Sequence, residues 1–253
     1  MKHRSAPQIL NQRTLEHDHR RLAELLVPGM RVLDAGCGTG SITAGIARAV
    51  GQTGQVVGID RDQVLLEEAR GAHGSLPNLE FEQADLTDYQ PAQGFDIATA
   101  ARVLQWIASP QRALDRLCAA VEPGGWVVVL DYNHSAHTWE PAARPEFQRF
   151  YEAFLEWREA NGWSNRIADE LPKMFREVGL VDVESTDQTE TDLTRIASIW
   201  THMVESLGPA LIEGGFLSET QCTAAREANE AWRTGEGRAV TFALRTITGR
   251  VQL

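Results

Sequence analysis

The chain has 253 residues, of which 43% are hydrophobic, and a formal net charge of −11. This length fits one large domain, and the acidic balance argues against a protein that binds nucleic acid mainly through its phosphates. No apolar run approaches the roughly 20 residues that span a bilayer, so we expect no membrane partner. Residues 1–22 lack the apolar segment of a secretory signal, so we expect a cytoplasmic protein, either monomer or homodimer.

Several residue types that often bind metals are present, but their spacing does not fit a metal site. Cys37, Cys118 and Cys222 are widely separated, which matches neither a disulfide framework nor a paired zinc motif. His17 and His19 in "HDHR" are two positions apart and do not share a helix face. We therefore expect no metal ion.

The first predicted element is a helix over residues 8–28, which ends at "VPGM" and belongs to a predicted N-terminal helical cap, residues 1–28. Short apolar runs then alternate with helical segments from residue 30 to residue 131. The apolar runs are "RVLDAG", "QVVGID", "LEFEQAD", "FDIATAA" and "GWVVVLD", and the helical segments are "SITAGIARAV", "RDQVLLEEAR" and "SPQRALDRLCAAV". This alternation predicts βαβ units and a parallel sheet that is buried on both faces.

The pattern changes after residue 131. Two inserts, residues 132–179 and 193–237, are predicted to form a helical lid, and they contain five of the seven tryptophans. Two terminal strands are predicted within residues 180–192, in "LVDVEST", and within residues 238–250, in "RAVTFALRTITG". The predicted lid helices cover residues 145–161, 164–179, 193–213 and 218–234.

The stretch "VLDAGCGTGS" predicts a ligand-binding turn between the first strand and the helix that opens near Ser41. Gly36, Gly38 and Gly40 allow a sharp turn and a close approach of a ligand to the main chain. The helix start offers free amide groups to a carboxylate or phosphate. A dinucleotide-binding turn has the spacing GxGxxG, and its third glycine is Ser41 here, which weakens a nicotinamide-dependent oxidoreductase as the alternative.

Acidic residues end the next two predicted strands. Asp60 ends the second strand, where a carboxylate can accept hydrogen bonds from both hydroxyls of a ribose. Asp85 ends the third, where it can accept the amino group of adenine while Leu86 packs on the ring. The carboxyl ends of parallel strands meet at one edge of the sheet, so these residues predict an adenosine site beside the glycine turn.

These segments together resemble the class I S-adenosylmethionine-dependent methyltransferases. The matching stretches, in that family's order and spacing over about residues 30–131, are "VLDAGCGTG", "VVGIDRD", "EQADLTD", "FDIATAARVLQWIASPQRAL" and "VEPGGWVVVLD". The resemblance implies one α/β methyltransferase domain over residues 1–253. Its Rossmann-like, mostly parallel sheet would have seven strands in the order 3-2-1-4-5-7-6, with strand 7 antiparallel, and a helical lid.

The resemblance also implies S-adenosyl-L-methionine as cofactor, S-adenosyl-L-homocysteine as product, and a role for each matching residue. Asp34 would orient the amino group of the cofactor, and Ala35, Gly36 and Gly38 would line its methionine part. Asp60 would bind the ribose, and Arg61, Asp85 and Leu86 would surround the adenine. Ala101 would contribute main chain near the methionine, with Arg102 facing either cofactor or solvent. The implied cofactor-binding set is Asp34, Ala35, Gly36, Gly38, Asp60, Arg61, Asp85, Leu86 and Ala101.

The acceptor side is less defined by the sequence. Methyl transfer depends mainly on alignment of the reactants, so no compulsory catalytic motif is expected, and no catalytic residue is assigned. Tyr132 and His134 are the candidates to face the acceptor, and Asp131 and His137 lie in the same loop. An arginine or histidine of the first helix could cap the cofactor carboxylate.

We expect a small-molecule acceptor, apolar or aromatic because the inserts are rich in aromatic residues, methylated at oxygen, nitrogen or carbon. The alternatives are a methyltransferase that acts on protein or RNA, and a module that binds S-adenosylmethionine without catalysis.

Overall fold

The computed structural model describes residues 7–253, which form a central sheet, flanking helices and a helical lid. Residues 1–6 of the predicted cap lie outside the described residues. In chain order the elements are α1 (Pro7–Leu10), α2 (Leu15–Asp18), α3 (Arg20–Leu25), β1 (Arg31–Ala35), α4 (Ser41–Val50), β2 (Gln55–Asp60), α5 (Gln63–His73), β3 (Leu79–Gln83), β4 (Phe95–Ala101), α6 (Pro110–Ala119), β5 (Val121–Tyr132), β6 (Thr138–Glu140), α7 (Pro145–Ala160), α8 (Ile167–Glu177), β7 (Val181–Asp187), β8 (Glu190–Thr191), α9 (Leu193–Glu213), α10 (Glu219–Thr234), β9 (Ala239–Phe242) and β10 (Leu244–Arg250).

The main sheet has seven strands in the order β3-β2-β1-β4-β5-β10-β7. Strands β1 to β5 pair in parallel, and β10 is antiparallel to both β5 and β7. Counted as strands of this sheet alone, β7 and β10 are the sixth and seventh. The predicted order with one antiparallel strand is therefore confirmed.

Both faces of the sheet are covered, as the apolar strand sequences require. On one face, apolar side chains of α2, α3 and α4 pack against β1, β2 and β4, with Leu15, Leu22 and Ile46 buried. On the other face, α6 and α8 pack against the sheet through residues such as Leu114 and Phe175. The two layers hold the carboxyl ends of β1, β2 and β4 in fixed register.

The lid is a second hydrophobic core, built mainly from α7, α9, α10 and a small sheet of order β6-β9-β8. Trp200 of α9 lies at its centre and is 2% exposed. Six aromatic rings lie with centroids 5.1 to 6.4 Å from the Trp200 ring, those of His137, Trp139, Phe147, Tyr151, Phe154 and Phe242. Aromatic pairs at these separations stabilise a core beyond their buried area.

The predicted helix over residues 8–28 is wrong in detail, because the segment forms three short helices. The Thr14 hydroxyl accepts a hydrogen bond from the His17 amide at 3.2 Å, which starts α2 afresh. At His19 the backbone leaves the helical conformation, and the ring is buried with Nε2 2.8 Å from the Thr99 hydroxyl of β4. The buried contact between His19 and β4 thus outweighs the helical periodicity of the sequence over residues 8–28.

Two other elements differ from the prediction. The single closing strand is divided, because Ala239–Phe242 joins the lid sheet while Leu244–Arg250 joins the main sheet. Helix α8 lies within the predicted lid insert 132–179 but packs on the main sheet, where Leu171 and Phe175 are fully buried.

None of the helices in residues 7–253 is both long and apolar enough to cross a membrane.

Candidate active site

A cleft lies at the carboxyl ends of the parallel strands, where ligands bind in open α/β sheets. It encloses about 1330 Å³ of space between protein atoms, including the part open to solvent. Its walls come from the turns after β1 to β4, from the N-terminal segment and from the lid. Lining residues with polar or main-chain groups available to a ligand include Arg13, Asp34, Gly36, Gly38, Asp60, Arg61, Asp85, Ala101 and Arg102.

The floor of the cleft is the glycine turn after β1. Gly36, Gly38 and Gly40 have φ angles of 75°, 56° and 76°, a region that side chains disfavour. A Cβ at Gly36 would lie 2.4 Å from the Val103 side chain, so no larger residue fits there. The amides of Gly36 and Cys37 both donate to the Ile59 carbonyl, at 2.7 and 2.9 Å. The turn is therefore held against β2 with its backbone facing the cleft.

Two carboxylates lie on either side of this turn. Asp34 is 3% exposed and accepts a 2.6 Å hydrogen bond from the Thr43 hydroxyl. Burial raises the pKa of Asp34 to about 6, with the Asp60 charge adding to the increase. Asp60 accepts hydrogen bonds from the Gly38 amide at 2.9 Å and the Asp62 amide at 2.8 Å. Burial also raises the pKa of Asp60. Both groups are thus oriented before any ligand binds.

The predicted adenine residues lie along the wall formed after β2 and β3. Arg61, Asp85 and Leu86 all line the cleft. Asp85 is exposed and accepts hydrogen bonds from the amide and hydroxyl of Thr87, at 2.9 and 2.7 Å. Leu86 is 6% exposed and offers an apolar surface beside it. Of the predicted cofactor set, Ala35 alone is not among the residues that line the cleft; it lies in the core beneath the turn.

Arg102 follows Ala101 at the end of β4 and has a φ of 64°, which is unusual for a residue with a side chain. Its side chain is buried rather than directed to solvent, and its Nε donates to the Tyr132 hydroxyl at 2.9 Å. Its Nη1 donates to the Asp18 carbonyl at 3.1 Å. Buried ion pairs with Asp18 and Glu190 hold the guanidinium, at 3.6 and 3.4 Å. These contacts explain how the strained backbone is maintained.

Asp18, Arg102, Glu190 and Arg195 form an ion cluster that joins the N-terminal segment, the core and the lid. Arg195 pairs with Asp18 and, at 3.1 Å, with Glu190. Burial by itself raises the pKa of Asp18, but the Arg102 charge, the Thr14 amide and the Arg195 charge hold it below its usual range. His17, Asp18 and Glu190 bring three ligand atoms within 4.8 Å of one another. Because two guanidinium groups already neutralise the two carboxylates, we assign no metal to them.

The two candidates for the acceptor side, Tyr132 and His134, are not among the residues that line the cleft. Tyr132 lies behind Arg102, in a small second cavity. His134 is 5% exposed, with its Nε2 2.6 Å from the Gln105 side-chain oxygen. Burial, with the Arg158 charge, lowers the pKa of His134 well below its usual value. His134 is thus buried between the core and the lid, where the ring of Phe154 of α7 packs against it.

Asp131, at the end of β5, and His137, in the loop that follows, are buried as well. Asp131 accepts hydrogen bonds from the amides of Gln105 and Tyr132, and burial raises its pKa to about 6. Burial lowers the pKa of His137 to about 3, and its ring stacks on that of Phe242, with centroids 4.6 Å apart. These groups serve the packing between core and lid.

Several lining residues were not singled out from the sequence. Leu10 and Arg13 reach the cleft from the N-terminal segment, and Val103 and Ile107 from the turn after β4. Trp106 and Trp163 form an aromatic wall, with ring centroids 5.3 Å apart. The guanidinium of buried Arg158 lies 4.6 Å from the centroid of the Trp106 ring. The aromatic content of the inserts signalled Trp163, and the expectation of an arginine or histidine from the first helix includes Arg13 without singling it out.

The sequence of residues 26–196 matches a family described as "Methyltransferase domain". The trans-aconitate 2-methyltransferase of Deinococcus radiodurans is 35% identical over 140 residues, which cover 54% of this chain and 52% of that enzyme. The demethylmenaquinone methyltransferase of Staphylococcus aureus is 28% identical over 174 residues, which cover 61% of this chain and 69% of that enzyme. The chain thus spans about half the length of the first relative.

Among solved structures, a similar fold occurs in phosphoethanolamine N-methyltransferase 2 of Haemonchus contortus, in complex with phosphomonomethylethanolamine and S-adenosylhomocysteine. The TM-score is 0.57 at 16% identity, over 93% of this chain and 53% of that chain. At this identity the likeness concerns the fold.

Because Asp18 pairs with two arginines in the ion cluster, we predict that Asp18→Asn lowers the free energy of unfolding more than the same change at exposed Asp88. Asp18→Asn leaves buried Arg102 and half-buried Arg195 without a full counter-charge, so we expect a loss of about 3–5 kcal/mol in the free energy of unfolding. Asp88→Asn removes the exposed partner of Arg112, and we expect a loss below about 1 kcal/mol. Urea denaturation measures both, and equal losses would contradict the importance of the cluster.

Proposed function

Because the chain belongs to this family of methyltransferase domains, we propose that it transfers a methyl group from S-adenosylmethionine to a small-molecule acceptor and releases S-adenosylhomocysteine. The observation that carries the proposal is the pair of oriented carboxylates, Asp34 and Asp60, on either side of a glycine turn that admits no side chain. The match covers only 52% of the trans-aconitate 2-methyltransferase. The activity of this chain is therefore a proposal, and the binding experiment below tests it.

The residues present fit the cofactor in chemistry. The cleft combines oriented carboxylates, a glycine turn without side chains and an apolar wall, which suits a ligand with an amino acid part, a ribose and a flat ring. We assign Asp34 to the amino group of the cofactor, Gly36 and Gly38 to its methionine chain, and Asp60 to the ribose hydroxyls. Main chain at Ala101 would contact the methionine end. Arg61, Asp85 and Leu86 would enclose the adenine ring.

S-adenosylmethionine, when bound, supplies a methyl group activated by its positively charged sulfur. The protein's own contribution is to hold the acceptor in line with that group and to exclude water. The described residues suit this role, because the lid and the N-terminal segment both reach the cleft. Since Asp131, His134 and His137 are buried away from the cleft, we assign none of them as a general base.

We propose an acceptor that is apolar or aromatic. Val103, Trp106, Ile107 and Trp163 give one end of the cleft an apolar wall, and flat rings pack well against such a surface. Both enzymes compared above are named for small-molecule reactions, on trans-aconitate and demethylmenaquinone. The wall residues set no preference among oxygen, nitrogen and carbon as the atom methylated.

Asp60→Ala tests the cofactor assignment. We expect the wild-type chain to bind S-adenosylhomocysteine in calorimetric titration, and the substitution to weaken binding about 10- to 100-fold, because hydrogen bonds to a charged group contribute about 1.5–3 kcal/mol. Asp115→Ala removes an exposed carboxylate on α6 and should leave the affinity unchanged. If the wild-type chain does not bind, or if both variants bind like it, the proposal is wrong.

The pKa of about 6 at Asp34 predicts a pH dependence of binding. Above pH 6 the carboxylate is charged and attracts the ammonium group of S-adenosylhomocysteine, whereas protonation below pH 6 removes this attraction. We therefore expect the affinity to be constant above pH 7 and to fall steadily from pH 6 to pH 5.

Asp34→Asn provides the control for this profile, because an amide oxygen can still accept the Thr43 hydrogen bond. The variant should bind more weakly at pH 7.5 and show a flatter profile between pH 5 and pH 8. Identical profiles for the two proteins would exclude Asp34 as the group that titrates.

A further inference from the structure

Arg158, on helix α7, is a fully buried cation next to the aromatic wall of the cleft. It is 0% exposed and does not line the cleft, whereas Trp106 and Trp163 both do. Burial lowers the pKa of Arg158 to about 10, and the Asp131 charge opposes this effect, so the guanidinium stays charged at neutral pH. Burying a charge costs free energy unless other groups bind it well, so the contacts of Arg158 are held firmly.

The hydrogen bonds of Arg158 reach both segments that carry the wall tryptophans. Its Nη2 donates to the Gln105 carbonyl at 2.9 Å and to the Ser164 carbonyl at 3.0 Å. Gln105 immediately precedes Trp106, and Ser164 immediately follows Trp163. A single nitrogen atom thus joins the turn after β4 to the loop after α7, directly beside the two rings.

Other contacts fix the plane of the guanidinium and the loop that contains Trp163. The Nε of Arg158 donates to the Asn165 side-chain oxygen at 2.8 Å, and its main-chain carbonyl accepts from the Trp163 amide at 3.0 Å. The guanidinium lies 4.6 Å from the centroid of the Trp106 ring and 5.4 Å from that of Phe154. A cation over an aromatic face is attracted to it. The placement of both wall rings therefore depends on Arg158.

The two wall rings form a corner. Trp106 and Trp163 have ring centroids 5.3 Å apart and planes at 80° to each other. Aromatic rings prefer offset-stacked and edge-to-face contacts. A flat ring that stacks on one of these indoles can make an edge-to-face contact with the other. A saturated ring of the same carbon skeleton is thicker and has no aromatic face, so it gains only from the burial of its surface.

We propose that Arg158 is a positioning residue for the acceptor, because it holds Trp106 and Trp163 at the angle that selects a flat aromatic ring over a saturated ring. Arg158 acts through the carbonyls of Gln105 and Ser164 and does not touch the acceptor itself. The inference rests on the proposed function and deepens it, since it names the contacts that set the class of acceptor.

Calorimetric titrations with 2-naphthol and its saturated counterpart, decahydro-2-naphthol, test the inference on the complex with S-adenosylhomocysteine. The wild-type complex should bind 2-naphthol about tenfold more tightly than the saturated ring, because two aromatic contacts add to the burial. Arg158→Met should bring this affinity ratio close to one. The variant should bind S-adenosylhomocysteine like the wild type, because the contacts of Arg158 described above include no proposed cofactor residue.

Trp163→Ala distinguishes positioning from a general structural role, because it removes one side of the corner and leaves Arg158 in place. It should lower the affinity ratio as Arg158→Met does. The double variant should lower the ratio no further, since both changes act on the same corner. Arg149→Met changes an arginine of the same helix whose side chain is 42% exposed, and it should keep the wild-type ratio.

Thermal unfolding of each variant establishes that it is folded, and Arg158→Lys carries the test if Arg158→Met is not. Lysine keeps the charge but lacks the planar group that donates to both carbonyls and to Asn165, so we expect an intermediate ratio.

The inference is overturned if the folded Arg158 variant keeps the wild-type ratio, or if it weakens S-adenosylhomocysteine as much as 2-naphthol. Equal binding of the two rings by the wild-type complex, or a further loss in the double variant, also contradicts it. A wild-type chain that binds no S-adenosylhomocysteine contradicts the proposed function instead, so the two failures are distinguishable.

Discussion

The close contact between the glycine turn and its neighbours is the constraint on which the site depends. Gly36 lies against Val103, and the amides of Gly36 and Cys37 share the Ile59 carbonyl of β2. These contacts link the ends of β1, β2 and β4 at one point. The carboxylates of Asp34 and Asp60 are oriented by the same segment and its helix, through Gly38 and Thr43. A side chain at Gly36 would collide with the Val103 side chain in the turn after β4.

A second interaction, the ion cluster around Asp18, determines how the cleft is covered. Its four members come from α2, the end of β4, β8 and α9. Because the side chain of Asp18 is 1% exposed, its pairing with Arg102 couples the N-terminal segment to the strand end beside the cleft. The cluster therefore joins the N-terminal segment, the end of β4 and the lid beside the cleft.

The sequence was sufficient to predict the main sheet, because its signals are local. Apolar runs identified β1 to β5, and Asp60 and Asp85 end the second and third of them. Strand order followed from the family resemblance and is confirmed. Asp34, Gly36, Gly38 and Asp60 also meet at one cleft, as their placement at strand ends requires. Their roles toward the cofactor stay predictions.

Long-range contacts account for what the sequence did not show. His134 is surrounded by polar residues in the chain, yet Phe154 of α7 packs against its ring. Val240 and Ile247 continue one β pattern but belong to different sheets. His19 interrupts a helical pattern because Thr99, 80 positions away, pairs with its ring. In each case the deciding partner is distant in the chain, so local periodicity carries no information about it.

A crystal structure of the chain with S-adenosylhomocysteine would show whether the cleft holds the cofactor in the proposed direction. We predict that the amino acid part lies over Gly36 and Gly38 beside Asp34, with the ribose on Asp60 and the adenine against Leu86. A ligand bound outside this cleft, or in the reverse direction with its adenine over the glycine turn, would contradict it.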